Sequence, residues 1–285
     1  MEVHSLSLEH WLKLRDLFKK EWPRNILPYN LIQNYIEWNS KNPQFVHENI
    51  NIYCLNGDWT DGTFFALENH QLFFYSLNDD IDKLSGLLSN LPKNREYLAC
   101  CIYKRHLPVI EKLVEKMPNW ENKFDTLTYL HYLPKEKAGQ FDTINNLDSH
   151  TIKPLFSNDH IAIVNSVYPF GNGEITTRVF TKLMKFNPHL GIFDNDSNLV
   201  AWCFTYQSGV LNALQVIDDG KKRQGFGSLI VKCMAKIFFE KGMDTTGCIV
   251  DGNLPSLNLF KKLGFDIIDE VHWLGIGPRD VNGTI

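Results

Sequence analysis

No Cys-x-x-Cys pair, no His-Glu-x-x-His and no His-x-His occurs in this sequence, which excludes the common zinc-site spacings. The six cysteines, Cys54, Cys100, Cys101, Cys203, Cys233 and Cys248, fit no small disulfide framework and read as buried reduced thiols. No metal is expected. No run approaches the ~18 apolar residues of a membrane-spanning helix. The start, MEVHSLSLEH, has neither the basic opening nor the apolar core of a secretory signal. A cytoplasmic protein is expected, with the mitochondrion as the alternative. The sequons at Asn195 and Asn282 then count as chance matches. Positive charge is in deficit too: 29 Lys and Arg against 33 Asp and Glu give a net charge of −4. A dedicated nucleic-acid binder is basic overall, so neither nucleic acid nor membrane is an expected partner.

What the chain has is alternating periodicity. Its 285 residues, 44% hydrophobic, suffice for two cores. Leu8, Trp11, Leu12, Leu14, Leu17 and Phe18 form one helical stripe. Strands are predicted over 50–55, 62–67, 71–77, 97–103 and 124–132, and helices over 81–91 and 108–116. The charged stretch 134–140 (PKEKAGQ) is the best linker, dividing the chain into domains 1–137 and 138–285. Beyond it, 148–165 reads as a helix or two, broken near Pro154. Helices follow over 176–185, 228–241 and 255–263, with strands over 190–193, 199–207, 211–217, 247–250 and 265–276. Strands alternating with helices in both halves predict an α/β fold.

The strongest chemical signal lies in 211–242. A strand runs into Lys221-Lys222-Arg223-Gln224-Gly225-Phe226-Gly227, which opens directly into a helix. Unpaired N–H groups and the helix dipole make such a helix start attractive to anions, and glycine lets an anion approach the backbone. Residues 221–241 carry a net charge of +5 inside a chain of −4. A phosphate or pyrophosphate is the natural ligand. The pattern is neither GxxxxGK[ST] nor GxGxxG, since Ile230 stands three past Gly227. A second helix follows with Asn253 as N-cap, Pro255 in its first turn, Leu257, Phe260 and Leu263 on its apolar face and Gly264 as its stop.

Together these elements resemble the GNAT superfamily of acyl-CoA-dependent N-acyltransferases. From about 147 to 273 the chain is similar to glycine N-acyltransferases. Phe170-Gly171-Asn172 echoes that family's aromatic-Gly-Gly-Asn element, and Ala201-Trp202 with Ser208-Gly209 its tryptophan strand and turn. The resemblance implies a central mixed, twisted sheet flanked by helices, with the N-terminal α/β domain a degenerate half of the same kind. It implies acyl-CoA or acetyl-CoA as co-substrate. Gln215, Val216 and Ile217 would pair with the pantetheine arm. Lys222, Arg223, Gln224, Gly225, Phe226, Gly227 and Ser228 would cradle the pyrophosphate. Asn253 and Ser256 would lie beside the thiol end.

Three departures weigh on the chemistry. Lys222 stands where Arg or Gln is usual, which keeps charge but loses the planar fork. Phe260 stands where many relatives carry the tyrosine that protonates the leaving thiolate. Val210 stands at the position of the glutamate base of glycine N-acyltransferases. An amine must lose a proton as it attacks, and Asp251 and Glu174 are the candidate bases. Three functions follow: transfer of an acyl group to a small amine such as glycine, acyl-CoA or partner binding without turnover, or acetylation of a protein or peptide.

Overall fold

The computed structural model describes residues 2–78, 81–117, 119–142, 150–171, 173–217 and 224–279. The chain forms two compact units, Met1–Tyr129 with Ile268–Ile285 (unit 1) and Leu130–Ile267 (unit 2). The division thus stands at 129/130 rather than 137/138, and the end of the chain returns to unit 1.

Unit 1 contains Val3–Ser5 (β1), Leu8–Leu17 (α1), Ile26–Lys41 (α2), Pro43–Asn49 (α3), Ile50–Leu55 (β2), Phe64–Glu68 (β3) and Gln71–Tyr75 (β4). Ile81–Leu88 (α4), Tyr97–Tyr103 (β5), Leu107–Lys116 (α5) and Trp120–Leu133 (β6) follow, β6 crossing into unit 2. Neighbouring strands run β1-β2-β3-β4-β5 and then Asp266–Pro278 (β12) and β6. Strands β1 to β4 are antiparallel, β4 and β5 are parallel, and β5 and β12 are antiparallel. Leu274 and Ile276 of β12 are buried in the unit-1 core beside Tyr97, Ala99 and Ile102. That apolar face explains why the last strand leaves unit 2.

No element was expected over 26–41, yet α2 is the longest helix described. Leu27, Leu31, Tyr35 and Trp38 recur at helical spacing and are fully buried, while Pro28 sits in the first turn, where its missing N–H costs nothing. Strand β5, YLACCIY, is buried at all but Leu98, as a central strand between two neighbours should be.

Unit 2 contains Lys135–Gly139 (α6), His150–Lys153 (β7), Asn158–Val167 (α7), Gly173–Phe186 (α8), His189–Asp194 (β8), Leu199–Thr205 (β9) and Val210–Val216 (β10). Phe226–Glu240 (α9), Thr245–Val250 (β11), Leu254–Lys262 (α10) and the start of β12 complete it. Strands β7 to β10 are antiparallel and β10 and β11 parallel. Here too an expectation fails. The stretch 134–140 is no linker: Ala138 is buried, and the Lys236 ammonium donates to the Gly139 carbonyl at 2.7 Å, fixing α6 on α9. Residues 150–153, expected to be helical, form β7 because Thr151 and Ile152 pair with Phe193 and Ile192 of β8.

The two units repeat one order of elements. In chain order each has a strand, helices, three antiparallel strands, a helix, a parallel strand and a helix, followed by a long strand, β6 after the first set and β12 after the second. The repetition is one of architecture, built on different residues.

Candidate active site

The site in unit 2 begins with a defect in its sheet. Leu211 and Asn212 of β10 pair with Thr205 and Phe204 of β9, but the register then shifts before Gln215 pairs with Trp202. Ala213, inside this bulge, has φ 52°, a left-handed conformation unusual for a residue with a Cβ. On its other side, among the described residues, β10 pairs with β11 at Val210 with Thr246 and Leu211 with Gly247. The two parallel strands therefore part at Leu211 and Gly247. Beyond that point one edge of β10 is open for another extended chain, and Gln215 to Ile217 lie along it, half-buried. Cys248, partly exposed, is the first residue of β11 past the fork.

At the carboxyl end of β10 stands the start of α9. Its N-cap is Gly225, with φ 90° and ψ −1°, and a helix capped by glycine has no side chain to satisfy its first N–H groups. A Cβ built on Gly225 would meet none of the described residues within 4 Å, so none of them fills the space beside this helix start. Gly227 is different. Its Cβ would lie in ordinary contact with Leu259 and Val216, at 3.5 and 3.8 Å, so this glycine faces protein. Lys222 and Arg223 lie outside the described residues. Gln224 is exposed, Phe226 is buried in the unit-2 core and Ser228 is half-buried in the first turn.

At the carboxyl end of β11 the chain turns through Asp251 and Gly252 into α10. The Asn253 carboxamide accepts from the Ser256 backbone N–H at 3.3 Å. The pair predicted at the thiol end is thus a helix cap at the fork's second arm. Asp251 is solvent-exposed beside it. Glu174 is elsewhere, in the first turn of α8, where its exposed carboxylate pairs with Arg178 at 3.4 Å. Val210 is fully buried in the β10 ladder and Phe260 is 1% exposed. The Phe260 ring packs on Gly247, with His131 and Phe265 on its other sides.

The fork and the helix start both stand at the carboxyl end of β10: an extended edge able to pair with an amide-bearing chain, and backbone donors suited to phosphate. The bulge at Ala213 and the placement of Cys248 escaped the sequence reading. An alanine in LNALQV carries no signal of positive φ, and the fork depends on a register that only the paired sheet shows. Among the described residues no group of three or more His, Cys, Asp or Glu side chains is placed to hold a metal, and no helix is long and apolar enough to cross a membrane.

Residues 189–274 match the family described as FR47-like protein. The whole chain is similar to a Drosophila protein of known structure, with 22% identity, 98% of this chain and 99% of that chain covered and a TM-score of 0.85. It is also similar to a tandem GNAT protein from the clavulanic acid biosynthesis pathway, at 11% identity, 98% and 99% coverage and a TM-score of 0.55. A Pyrococcus horikoshii protein assigned by inference as an acetyltransferase matches at 10% identity, 98% and 89% coverage and a TM-score of 0.57. The fold is that of the GNAT superfamily in a two-half arrangement.

Proposed function

We propose that the protein transfers an acyl group from acyl-CoA to the amine of a small acceptor. The observation that carries this reading is the fork at Leu211 and Gly247, together with a glycine-capped helix start beside which none of the described residues fills the space. The residues fit the co-substrate. The edge of β10 from Gln215 to Ile217 would pair with the pantetheine amides, and the first N–H groups of α9 would hold the pyrophosphate, aided by Lys221, Lys222 and Arg223, which precede the helix in the sequence.

Chemistry would take place where the strands part. The amine nitrogen attacks the thioester carbonyl carbon, a C–N bond forms, the C–S bond breaks, and the thiolate leaves. The ammonium proton passes to Asp251 directly or through water, with Glu174 as the second candidate. With a valine at position 210 and a phenylalanine at 260, catalysis rests chiefly on orientation and a polarised carbonyl. Glycine is the first acceptor to test, from the resemblance of Phe170-Gly171-Asn172 and Ala201-Trp202 to glycine N-acyltransferases. Valine at 210 and phenylalanine at 260, where relatives carry their base and acid, favour one rival, acyl-CoA binding without turnover.

One assay separates them: release of free thiol from acetyl-, benzoyl- and longer acyl-CoAs with glycine and a panel of other amines. Amine-dependent release supports transfer. Binding without release leaves only the binding protein, and absence of CoA binding removes both readings.

A further inference from the structure

Unit 1 holds a polar cavity of about 240 Å³ that this chemistry leaves unused. It lies at the carboxyl ends of the parallel strands β4 and β5: Ser76 to Asn78 follow β4, and Arg105 follows β5. Ligands of open α/β sheets collect at such ends. The remaining wall comes from the segment between α1 and α2, with Lys20, Glu21 and Arg24, and from Asp61 ahead of β3. We propose that this cavity binds a small zwitterion, a free amino acid or a molecule of that size.

Size and charge carry the assignment. The volume falls below the ~300–1,000 Å³ of pockets for drug-sized molecules, and a whole acyl-CoA does not fit. Both signs of charge face the space from different elements. Arg24 pairs with Glu21 at 2.7 Å, and Asp61 with Lys83 at 2.5 Å. Arg105 is held from behind by Asp269 at 3.0 Å and donates to Asn25 at 3.0 Å. Lys20 forms no ion pair among the described residues, which leaves one cation on the wall to be matched. The Arg24–Glu21 pair is exposed and therefore weak, so a ligand carboxylate can exchange into it. That carboxylate goes to Lys20 and Arg24 and the ligand's ammonium to Asp61. A plain anion has no use for the Asp61 carboxylate on the opposite wall. A plain cation meets Lys20, Arg24 and Arg105.

The test is calorimetric titration of the full chain with glycine, serine, glutamine, glutamate and arginine, against acetate, ethylammonium and inorganic phosphate. The titration is run without acyl-CoA, and the Lys20→Ala and Asn78→Phe variants assign the signal to this cavity rather than to unit 2. At least one amino acid is expected to bind one-to-one with a Kd of about 1 mM or tighter, and more tightly than all three singly charged or inorganic probes. Lys20→Ala, an exposed position with no partner to lose, should weaken that binding about tenfold, and Asn78→Phe should block it by filling the mouth. The proposal is overturned if no amino acid binds, if acetate, ethylammonium or phosphate binds as well, or if both variants bind as the parent does.

Discussion

The Tyr75 hydroxyl donates to the Cys101 carbonyl at 2.9 Å, from the end of β4 to the strand beside it. The parallel pairing of β4 with β5 is recorded at Gln71 with Leu98 and Leu72 with Ala99, much as β10 pairs with β11 at two positions. In unit 1 a fully buried phenol then spans the two strands where unit 2 leaves its edge open. The segment after β4, SLNDDID, also lacks both glycine and positive charge, where unit 2 has KKRQGFG. One half has its fork tied and its anion cradle replaced by acids.

The first prediction is therefore a stoichiometry. Acyl-CoA should bind once per chain, and Gly225→Glu should remove that binding entirely by placing bulk and negative charge at the start of α9. Calorimetry giving two sites, or residual binding in the variant, would contradict the assignment of unit 2 as the sole cofactor half.

The two glycines at the start of α9 should behave oppositely when replaced by alanine. Gly225 has φ 90°, so Gly225→Ala meets no clash but forces a left-handed alanine, at a cost of about 1 kcal/mol. Gly227 lies inside the helix, where its Cβ would make ordinary contacts, and alanine is the better helix former by up to about 1 kcal/mol. Gly227→Ala should then be neutral or stabilising. Urea unfolding of the two variants reads the difference, and equal effects would mean that backbone conformation does not distinguish these positions.

This pair also shows how far the sequence could be read. A strand, a glycine-capped helix start and an Asn-capped helix were legible because caps and turns obey local rules. Local rules also led astray: PKEKAGQ looks like a linker, and only the burial of Ala138 against α9 makes it a helix. The fork, the bulge at Ala213 and the return of β12 to unit 1 arise from pairing between residues far apart in the chain, which no local pattern encodes. Catalytic roles were the least legible, since Asp251 and Glu174 are both exposed and differ only in where the fold carries them.

Phe260 offers a gain-of-function test. The para carbon of its ring lies 3.1 Å from the Cβ position of Gly247, the last paired residue before the strands part. A hydroxyl added there by Phe260→Tyr would enter the apex of the fork, near where the thiolate leaves. General-acid assistance is worth about 10²–10⁴-fold, so kcat for thiol release should rise by at least about tenfold, with activity falling as pH approaches the phenol's ordinary pKa near 10. An unchanged kcat in a folded variant would show that the leaving sulfur does not lie at this end of the ring.

The last prediction concerns acid stability and rests on His106. The side chain is 2% exposed among the rings of Phe74, Tyr75 and Tyr103, and neither ring nitrogen has a hydrogen-bond partner. Burial, reinforced by Arg105 and Arg24, pushes its pKa down to about 3 from 6.5. In the unfolded chain the imidazole titrates normally, so between about pH 6.5 and 3 the unfolded state binds the extra proton. Stability from this group is complete above pH 6.5 and is lost as the pH falls, by about 1.4 kcal/mol per unit once the unfolded imidazole is charged. His106→Phe fills the same aromatic site without a titrating group or an unmatched polar atom, and removing a buried polar atom that has no partner is neutral or stabilising. The variant should equal or exceed the parent near pH 7, and its advantage should grow from pH 6 to pH 4, measured by urea midpoints. Parallel pH profiles for the two proteins would mean that His106 is protonated in the fold without penalty.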